Sequence, residues 1–298
     1  MEIVTDKQIN KGLQKSLSPW AIARRKFTKN KLAMISLCFL VFVMIISFLA
    51  PFITTQDITK IYISQMSLSP SAEHFLGTDK SGRDVFTRLL FGGRVSLFLG
   101  LSCTLLVIVF GTLVGAIAGY FGGIVDSMLM RFTDFVLNFP FMVFVMVINA
   151  ILFGKVSGLW VLIGVISFLS WGGTARMVRS KVLAEKENEY VLSSVSIGCT
   201  SSKVIFKHLL PNILSTIIVQ ATITFAGMIV AEAGLSYLGF GVPQEIPSWG
   251  NMLSSANEPD VLQYKPWIWV PPALIITLCT LSINFIGEGL KDALNPKS

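Results

Sequence analysis

The sequence predicts an all-α membrane protein with six transmembrane helices, and three observations lead to this prediction. Of the 298 residues, 53% are hydrophobic and 14% are charged, and the mean hydropathy is +0.69, whereas soluble domains carry about 25% charged residues. Six stretches without a charged side chain are each about 20 residues or longer, which is the length that a helix needs to cross a bilayer. The lysines and arginines collect in the segments that one topology places on the same side.

Polar segments separate the six predicted spans, which cover residues 32–53, 95–125, 135–154, 156–175, 212–231 and 266–287, with Pro140 inside the third. The chain is therefore divided into a basic N-terminal segment at 1–31, the first transmembrane helix at 32–53, an outer segment at 54–94, a five-helix core at 95–290 with a polar loop at 176–211, and a tail at 291–298. The N-terminal segment is not interpreted as part of a signal peptide, because the next apolar run is too long and no small-residue cleavage site follows it.

The distribution of basic residues predicts the orientation. With the N-terminus inside, 17 of the 24 lysines and arginines fall in inner segments and 7 in outer ones. Because positive residues are retained on the cytoplasmic side, both termini and the loop at 176–211 are predicted to be cytoplasmic in a multi-pass protein of the cell membrane. The net charge of +7 then follows from topology and does not indicate nucleic-acid binding.

The segment at 189–212, EYVLSSVSIGCTSSKVIFKHLLPN, predicts two short helices with a hinge. The first helix is expected over 182–197, and Gly198 breaks it. The second helix can be capped at its N-terminus by one of three neighbouring hydroxyls, those of Thr200, Ser201 and Ser202. Lys203 and Lys207 lie four residues apart on one face of this second helix.

Pro211 is suited to the first turn of the next span, because its fixed φ and missing N–H are tolerated there. With this residue included, the segment at 189–212 resembles the EAA loop of the permease subunits of ATP-binding-cassette (ABC) importers, whose coupling helix docks into an ATPase. The family pattern is Glu-Ala-Ala, three residues, Gly, nine residues, a variable position, one residue and Leu-Pro. Gly198, Leu210 and Pro211 match it, and His208 stands at the variable position, as in the dipeptide, oligopeptide and nickel branch.

The sequence departs from the family pattern at its first position. Leu192 stands where the family has Glu, and Ser193 and Ser194 follow, so the carboxylate is lost and two small residues are kept. Glu187 and Glu189 lie nearby as candidate substitutes. The resemblance implies an ATPase-coupling site made of Tyr190, Leu192, Ser193, Ser194, Gly198, Lys203, His208, Leu210 and Pro211.

Three further blocks resemble the same family. Residues 76–100 have its order of Leu-Gly-Thr-Asp, Gly-Arg-Asp, Arg, Gly, Arg and Ser-Leu. Residues 235–253 are similar to its outer loop with Pro-Ser-Trp-Gly, and residues 287–296 to its C-terminal sequence. The family that the chain resembles is the C-type permease subunit of the oligopeptide, dipeptide and nickel importers. The resemblance covers most of the chain from 18 to 296.

The residues of block 76–100 predict a collar of turns and caps on the outer face. Gly77 and Gly82 are turn residues, and Asp79 and Asp84 can cap helix N-termini. The apolar spacing after Asp84 predicts an amphipathic helix at this face. We interpret the collar as a surface that packs against a partner subunit rather than as a substrate site.

The resemblance implies a type I ABC importer fold in which this chain forms half of the translocation pathway for peptides. It also implies a heterodimer with a second permease, two ATPase subunits, an extracytoplasmic substrate-binding protein and surrounding membrane lipid. The chain has no GxxxxGK[ST] phosphate loop, so ATP and Mg²⁺ are expected on the partner subunits, with no cofactor and no enzymatic activity in this chain. Nickel, other metal chelates or opines are alternative substrates within the family.

Glu232 is a candidate pathway or gate residue, because it ends the fifth predicted span and would lie at the outer interface or in a cavity. From another class of protein, the alternative is an ion-coupled secondary transporter, which needs buried acids near the midplane, and Glu232 is its one candidate. A purely structural membrane scaffold is a third interpretation. His74 and His208 fall on opposite sides of the membrane, so they predict no shared metal site.

Two smaller features are interpreted as structural. Arg131 and Asp134 are three residues apart and are predicted to pair at the inner interface. Trp249, Trp267 and Trp269 are predicted either to belong to an aromatic belt at the membrane surface or to pack within the protein.

Overall fold

A computed structural model describes residues 19–152 and 158–294. In these ranges the structure is helical, and the one β-type pairing is an isolated bridge between Thr78 and Asp84. The first part contains α1 (Pro19–Lys29), α2 (Lys31–Phe48), α3 (Ala50–Ile53), a 3-10 turn (Ile63–Gln65), α4 (Val85–Phe121), α5 (Gly123–Leu137) and α6 (Phe141–Leu152). The second part contains α7 (Gly158–Glu185), α8 (Glu189–Ser196), α9 (Ser201–Val204), a π-helix (Ile205–Leu209), α10 (Leu210–Tyr237), α11 (Trp249–Leu253), a 3-10 turn (Ser254–Asn257), α12 (Pro259–Tyr264) and α13 (Pro266–Leu294).

The predicted all-α membrane fold is confirmed. Among the described residues, five helices are long and apolar enough to cross a membrane: α2, α4, α7, the continuous stretch Ser201–Tyr237, and α13. A sixth crossing results if α5 and α6, which meet at 78°, count as one span.

The path from the second to the third crossing differs from the prediction. α4 ends at Phe121, because Gly122 and Gly123 take φ values of +65° and +54°, which favour glycine, and α5 begins at once. The third span is therefore not a single helix that begins at 135. It bends after Leu137, where Pro140 supplies no backbone N–H and disfavours the helical conformation of the residue before it.

Several helices extend beyond the apolar runs that predict the spans. The helix predicted after Asp84 is confirmed: it begins at Val85 and continues into the second span as one 37-residue helix, α4. α7 continues to Glu185 and α13 to Leu294. A charged side chain ends an apolar run but not the helix, because it can reach water or a counter-ion while the backbone hydrogen bonds continue.

α4 and α7 run parallel and pack closely over small residues of α4. Gly111, Gly115 and Gly119 recur every four residues on the face toward α7. A Cβ atom at Gly115 would lie 2.4 Å from the carbonyl oxygen of Ala175. Glycine therefore permits the close approach of the two backbones, as small residues do at other membrane helix interfaces.

α4 extends from one end of the bundle to the other. At its N-terminus, the first N–H of the helix donates to the Gly77 carbonyl at 3.0 Å. Gly77 belongs to the segment at 54–84 that precedes α4, and in the structure this whole segment is called the collar. At its C-terminal end, Ala116 packs in one apolar cluster with Val204 of α9. Its 37 residues span about 55 Å at 1.5 Å per residue. We call the collar end of the bundle the outer end and the opposite end the inner end.

Candidate functional site

The segment at 189–212, here called the coupling element, forms a separate unit at the inner end. The predicted continuous helix over 182–197 is wrong, because α7 ends at Glu185 and α8 begins at Glu189. Asn188 has an extended backbone, with φ −70° and ψ 145°, at the N-cap of α8, so the two helices are not continuous.

The predicted break at Gly198 is confirmed, and it has the geometry of a Schellman cap. Gly198 takes φ +81°, its N–H donates to the Val195 carbonyl at 2.9 Å, and the Cys199 N–H donates to the Ser194 carbonyl at 3.1 Å. These two bonds satisfy carbonyls at the end of α8 that have no partner within the helix. The chain then continues through Cys199 and Thr200 into α9.

The starts of α9 and α10 follow the sequence prediction in part. Thr200 is the N-cap of α9 by its extended backbone, but its side chain makes no capping hydrogen bond. Pro211 lies in the first turn of α10, as predicted. The turn before it is π-helical, with the Leu210 N–H donating to the Ile205 carbonyl five residues earlier.

One side of the coupling element packs against the spans. Val191, Val204 and Leu209 are almost fully buried and form one cluster with residues of α4, α7 and α10. These partners are Ala116, Val178, Val182, Ile213 and Ile217. Because apolar burial fixes this side, the element is expected to move together with the helices that it contacts.

The opposite side, here called the docking face, carries four exposed apolar side chains and two exposed lysines: Leu192, Val195, Ile197, Phe206, Lys203 and Lys207. Ile197 is the most exposed of the apolar residues, at 80%. A cluster of exposed apolar side chains with charges beside it is typical of a protein interaction surface. Its chemistry suits a partner with an apolar pocket and acidic groups nearby.

The Tyr190 hydroxyl joins three parts of this region. It donates to Glu185 Oε1 at 2.6 Å, and it accepts from Asn212 Nδ2 at 2.7 Å. Burial and the hydrogen bond to the Glu185 carboxylate raise the pKa of the Tyr190 phenol, so the hydroxyl keeps the proton that it donates. The end of α7, α8 and the start of α10 are therefore linked through one side chain.

The other residues of the predicted coupling site divide by position. Ser193 is exposed, whereas Ser194 is buried and its hydroxyl donates to the Tyr190 carbonyl at 2.7 Å. Leu210 is half-buried against the apolar cluster, and His208 is also half-buried. The structure thus gathers the nine predicted residues into one element, and their role in coupling stays a prediction.

Gly198 is required by its backbone angle and not by packing within this chain. A Cβ atom there would meet no other atom within 4 Å. A residue with a side chain would instead be strained at φ +81°.

Glu232 lies inside α10, five residues before the end of that helix at Tyr237. It is 1% exposed. Its Oε1 accepts from the hydroxyls of Ser236 and Ser248, both at 2.8 Å, and its Oε2 accepts from Ser96 at 3.1 Å. Glu232 therefore does not line a cavity of this chain, since it sits in a packed polar node that joins α4, α10 and the segment before α11. Its role as a pathway or gate residue stays a prediction.

Two ion pairs connect α5 with α7 near the coupling element. Asp126 pairs with Arg179, and Asp134 pairs with Arg176. The predicted pair between Arg131 and Asp134 is wrong, because the Asp134 carboxylate instead meets the guanidinium of the neighbouring helix. These pairs hold the bent third crossing against the fourth.

Trp249 is a core residue and not part of an aromatic belt, because it is 1% exposed and its Nε1 donates to the Leu89 carbonyl at 3.0 Å. Trp267 and Trp269 are half-buried. The burial of Trp249 fixes the segment that also brings Ser248 to Glu232.

The predicted turns and one predicted cap of the collar are confirmed. Gly77 and Gly82 take φ values of +70° and +76°. Asp84 Oδ1 accepts from the Thr87 N–H at 2.7 Å and caps α4, and its Oδ2 lies 2.9 Å from Nδ1 of the buried His74. Asp79, predicted as a second cap, instead accepts from Ser81 and Arg83 within the turn. The collar is thus built on the head of α4.

The fold and the coupling element define a class of protein: a multi-pass membrane protein that presents a docking face at one end of its bundle. Residues 111–298 match the family described as binding-protein-dependent transport system inner membrane component. Residues 18–70 match the N-terminal TM domain of oligopeptide transport permease C. The chain belongs to the family of binding-protein-dependent transport inner membrane components.

Curated relatives are similar over nearly the whole chain. A dipeptide transport system permease protein DppC of Alkalihalophilus pseudofirmus is 38% identical over 282 residues, which are 95% of this chain and 91% of the relative. An oligopeptide transport system permease protein OppC of Lactococcus lactis subsp. cremoris is 40% identical over 278 residues, or 93% and 94% of the two chains. A dipeptide transport system permease protein DppC of Bacillus subtilis is 39% identical over 282 residues, or 95% and 87%.

Proposed function

We propose that this chain is one permease subunit of an ATP-driven importer that carries peptides into the cell. The observation that carries the proposal is the coupling element, which is fixed to the spans on one side and presents the docking face on the other. The names of the relatives, which are dipeptide and oligopeptide permeases, support peptides as the substrate class.

The proposed assembly contains this chain, a second permease, two ATPase subunits that hold ATP and Mg²⁺, and an extracytoplasmic substrate-binding protein. The inner end of the bundle and both termini face the cytoplasm, where an ATPase receives the docking face. The collar at the outer end then faces the binding protein or the second permease. The distribution of lysines and arginines supports this orientation.

The proposed mechanism is mechanical. ATP binding brings the two ATPase subunits together and displaces the coupling element. Because Val191, Val204 and Leu209 pack on the spans, the displacement reaches α4, α7 and α10 and changes which side of the pathway is open. ATP binding shifts this equilibrium only through a difference in affinity for the two states, so the docking face must remain engaged during the movement.

The experiment places a photo-crosslinking residue at Ile197 of the tagged chain in its native membrane. A crosslink to a P-loop ATPase is the expected result. Ile63 is the matched control, because it is 79% exposed against 80% for Ile197 but lies in the collar at the other end. No ATPase adduct from Ile197, or equal adducts from both positions, would contradict the proposed docking.

Two further measurements test the assembly and the substrate. Co-purification of the tagged chain should recover a second permease and ATPases, whereas recovery of the chain alone in a mild detergent would favour the ion-coupled alternative. Vesicles that contain the whole complex and the binding protein should accumulate labelled peptides only with ATP. Uptake without ATP, or no peptide uptake by an ATP-hydrolysing complex, would contradict the proposed activity.

A further inference from the structure

Arg94 lies in an apolar groove at the outer end of the bundle. The groove has a volume of about 330 Å³ and lies between the end of α2, the outer part of α4 and the start of α7. Its other lining residues are all apolar: Phe48, Ile58, Phe91, Val95, Phe98, Leu159, Ile246 and Pro247. A single cation in such surroundings calls for an anionic partner, since an unpaired charge is poorly solvated there.

Arg94 differs from the other arginines of this region in its contacts. Arg83 Nε donates to Asp79 at 2.8 Å, and Arg88 Nε lies 3.6 Å from the same carboxylate. In residues 19–152 and 158–294, no carboxylate forms an ion pair with Arg94. Its guanidinium instead lies 5.9 Å from the ring centroid of Phe48 and 5.8 Å from that of Phe91. These two rings flank the cation, which lines the groove, and its N–H groups have no hydrogen-bond partner among the described residues.

The groove continues into an exposed apolar stripe along α4. Below Arg94, the residues at helical spacing are Phe98, Leu101, Leu105 and Val109, and all four are exposed in the chain. From Arg94 to Leu105 the helix rises about 16 Å, which is close to half of a hydrocarbon core of about 30 Å. An acyl chain that starts at Arg94 and follows this stripe would reach the middle of the bilayer.

We propose that the Arg94 groove binds an anionic phospholipid of the outer leaflet. The guanidinium donates to the phosphate of the head group, because planar N–H donors match phosphate oxygens well. One acyl chain lies along Phe98, Leu101 and Leu105. The nearly uniform apolar lining favours a lipid over a peptide, because a peptide backbone would need hydrogen-bond partners along its length.

The test uses the whole importer complex, incubated in mixed micelles with equal amounts of phosphatidylglycerol and phosphatidylcholine. Native mass spectrometry then counts the lipids that remain bound after the micelles are stripped. Arg94→Gln should lower the bound phosphatidylglycerol at this site about fivefold relative to wild type, the factor expected for one cation near an anionic lipid. Arg94→Lys should retain most of it. Lys60→Gln is the control, because Lys60 also lies over an aromatic ring, that of Tyr62, but outside the groove. Equal phosphatidylglycerol retention by Arg94→Gln and wild type would overturn the proposal.

A second arm does not depend on the stability of Arg94→Gln. A photo-crosslinking residue replaces Leu105 in the otherwise unchanged complex, held in vesicles of phosphatidylcholine with one fifth phosphatidylglycerol. The proposal expects a phospholipid adduct enriched in phosphatidylglycerol over its share of the vesicle. An adduct with the second permease or with a peptide, or lipid adducts in proportion to the vesicle composition, would contradict it. Neither arm measures transport, so failure of the lipid site and failure of the proposed import function are distinguishable.

Discussion

The side-chain amide of Asn212 donates a hydrogen bond to the Tyr190 hydroxyl at 2.7 Å, at the point where α10 begins. The same hydroxyl donates to Glu185 at the end of α7. One phenol therefore joins the two spans that flank the coupling element. If an ATPase displaces α8, this joint passes the displacement to both spans and not to one of them.

Tyr190→Phe keeps the ring and removes both hydrogen bonds. We expect the complex to assemble normally and to import about fivefold less peptide per ATP hydrolysed, which corresponds to roughly 1 kcal/mol in total, or about 0.5 kcal/mol for each of the two lost hydrogen bonds. ATP hydrolysis and peptide uptake by the same vesicles provide the ratio. Tyr264→Phe is the control, because Tyr264 is highly exposed near the outer end. A normal ratio for Tyr190→Phe would show that the joint does not transmit movement.

Gly198→Ala should destabilise the coupling element by about 1–2 kcal/mol, because an L-residue is strained at φ +81°. Gly198→Leu should uncouple peptide transport from ATP hydrolysis. Gly198→Asn should destabilise the element less than Gly198→Ala, since Asn tolerates this backbone conformation better. Proteolysis within the coupling element measures the effect. Gly164→Ala is the matched control, because a Cβ there also meets no atom within 4 Å, but the residue lies in the helical α7. Equal cleavage of the Gly198→Ala and Gly164→Ala proteins would contradict the argument.

Part of this architecture follows from local chemistry and can be predicted from sequence. The uncharged runs identify the crossings, because hydrocarbon accepts long apolar helices and few charges. Gly198 and Pro211 locate the hinge and the start of α10, because each has a strong backbone preference. The amount of bending at Pro140 could not be predicted, because it depends on how α5 and α6 pack.

The remaining features depend on residues that are distant in sequence. Ser96 and Ser248 reach Glu232 only after α4, α10 and the segment before α11 are packed together. The serines carry no signal of their own, since Ser is common in membrane helices. Asp134 likewise finds Arg176 across a helix interface, where helical spacing alone suggested Arg131. Side-chain partners across helices are thus the part that periodicity does not determine.

Leu192→Glu restores the carboxylate of the family pattern at an exposed position, so the fold should tolerate it. Val191→Glu is the matched control: it places the same charge one residue earlier, where the side chain is 2% exposed, and should prevent normal folding. Size-exclusion chromatography of the fluorescently tagged chain measures folded protein, and co-purification measures the bound ATPase. If Leu192→Glu folds but loses the ATPase, the docking face has diverged around an apolar contact at this position.

Glu232→Ala should destabilise the complex by about 3 kcal/mol, because it leaves the buried hydroxyls of three serines without their acceptor. Glu232→Gln should cost less, since its carbonyl oxygen can still accept from Ser236 and Ser248. The thermal midpoint of the purified complex is the measurement. Glu258→Ala is the control and should change little, because Glu258 pairs with Lys80 at the surface.

The Glu232→Gln complex also distinguishes a structural node from an ion site. A node held by hydrogen bonds needs an acceptor and not a charge, so the Gln variant should retain ATP-driven uptake once it is folded. An ion-coupled transporter would instead need a carboxylate that gains and loses a proton or cation, which an amide cannot do. Loss of uptake by Glu232→Gln at an unchanged thermal midpoint would therefore favour a pathway or gate role for Glu232 over the structural one.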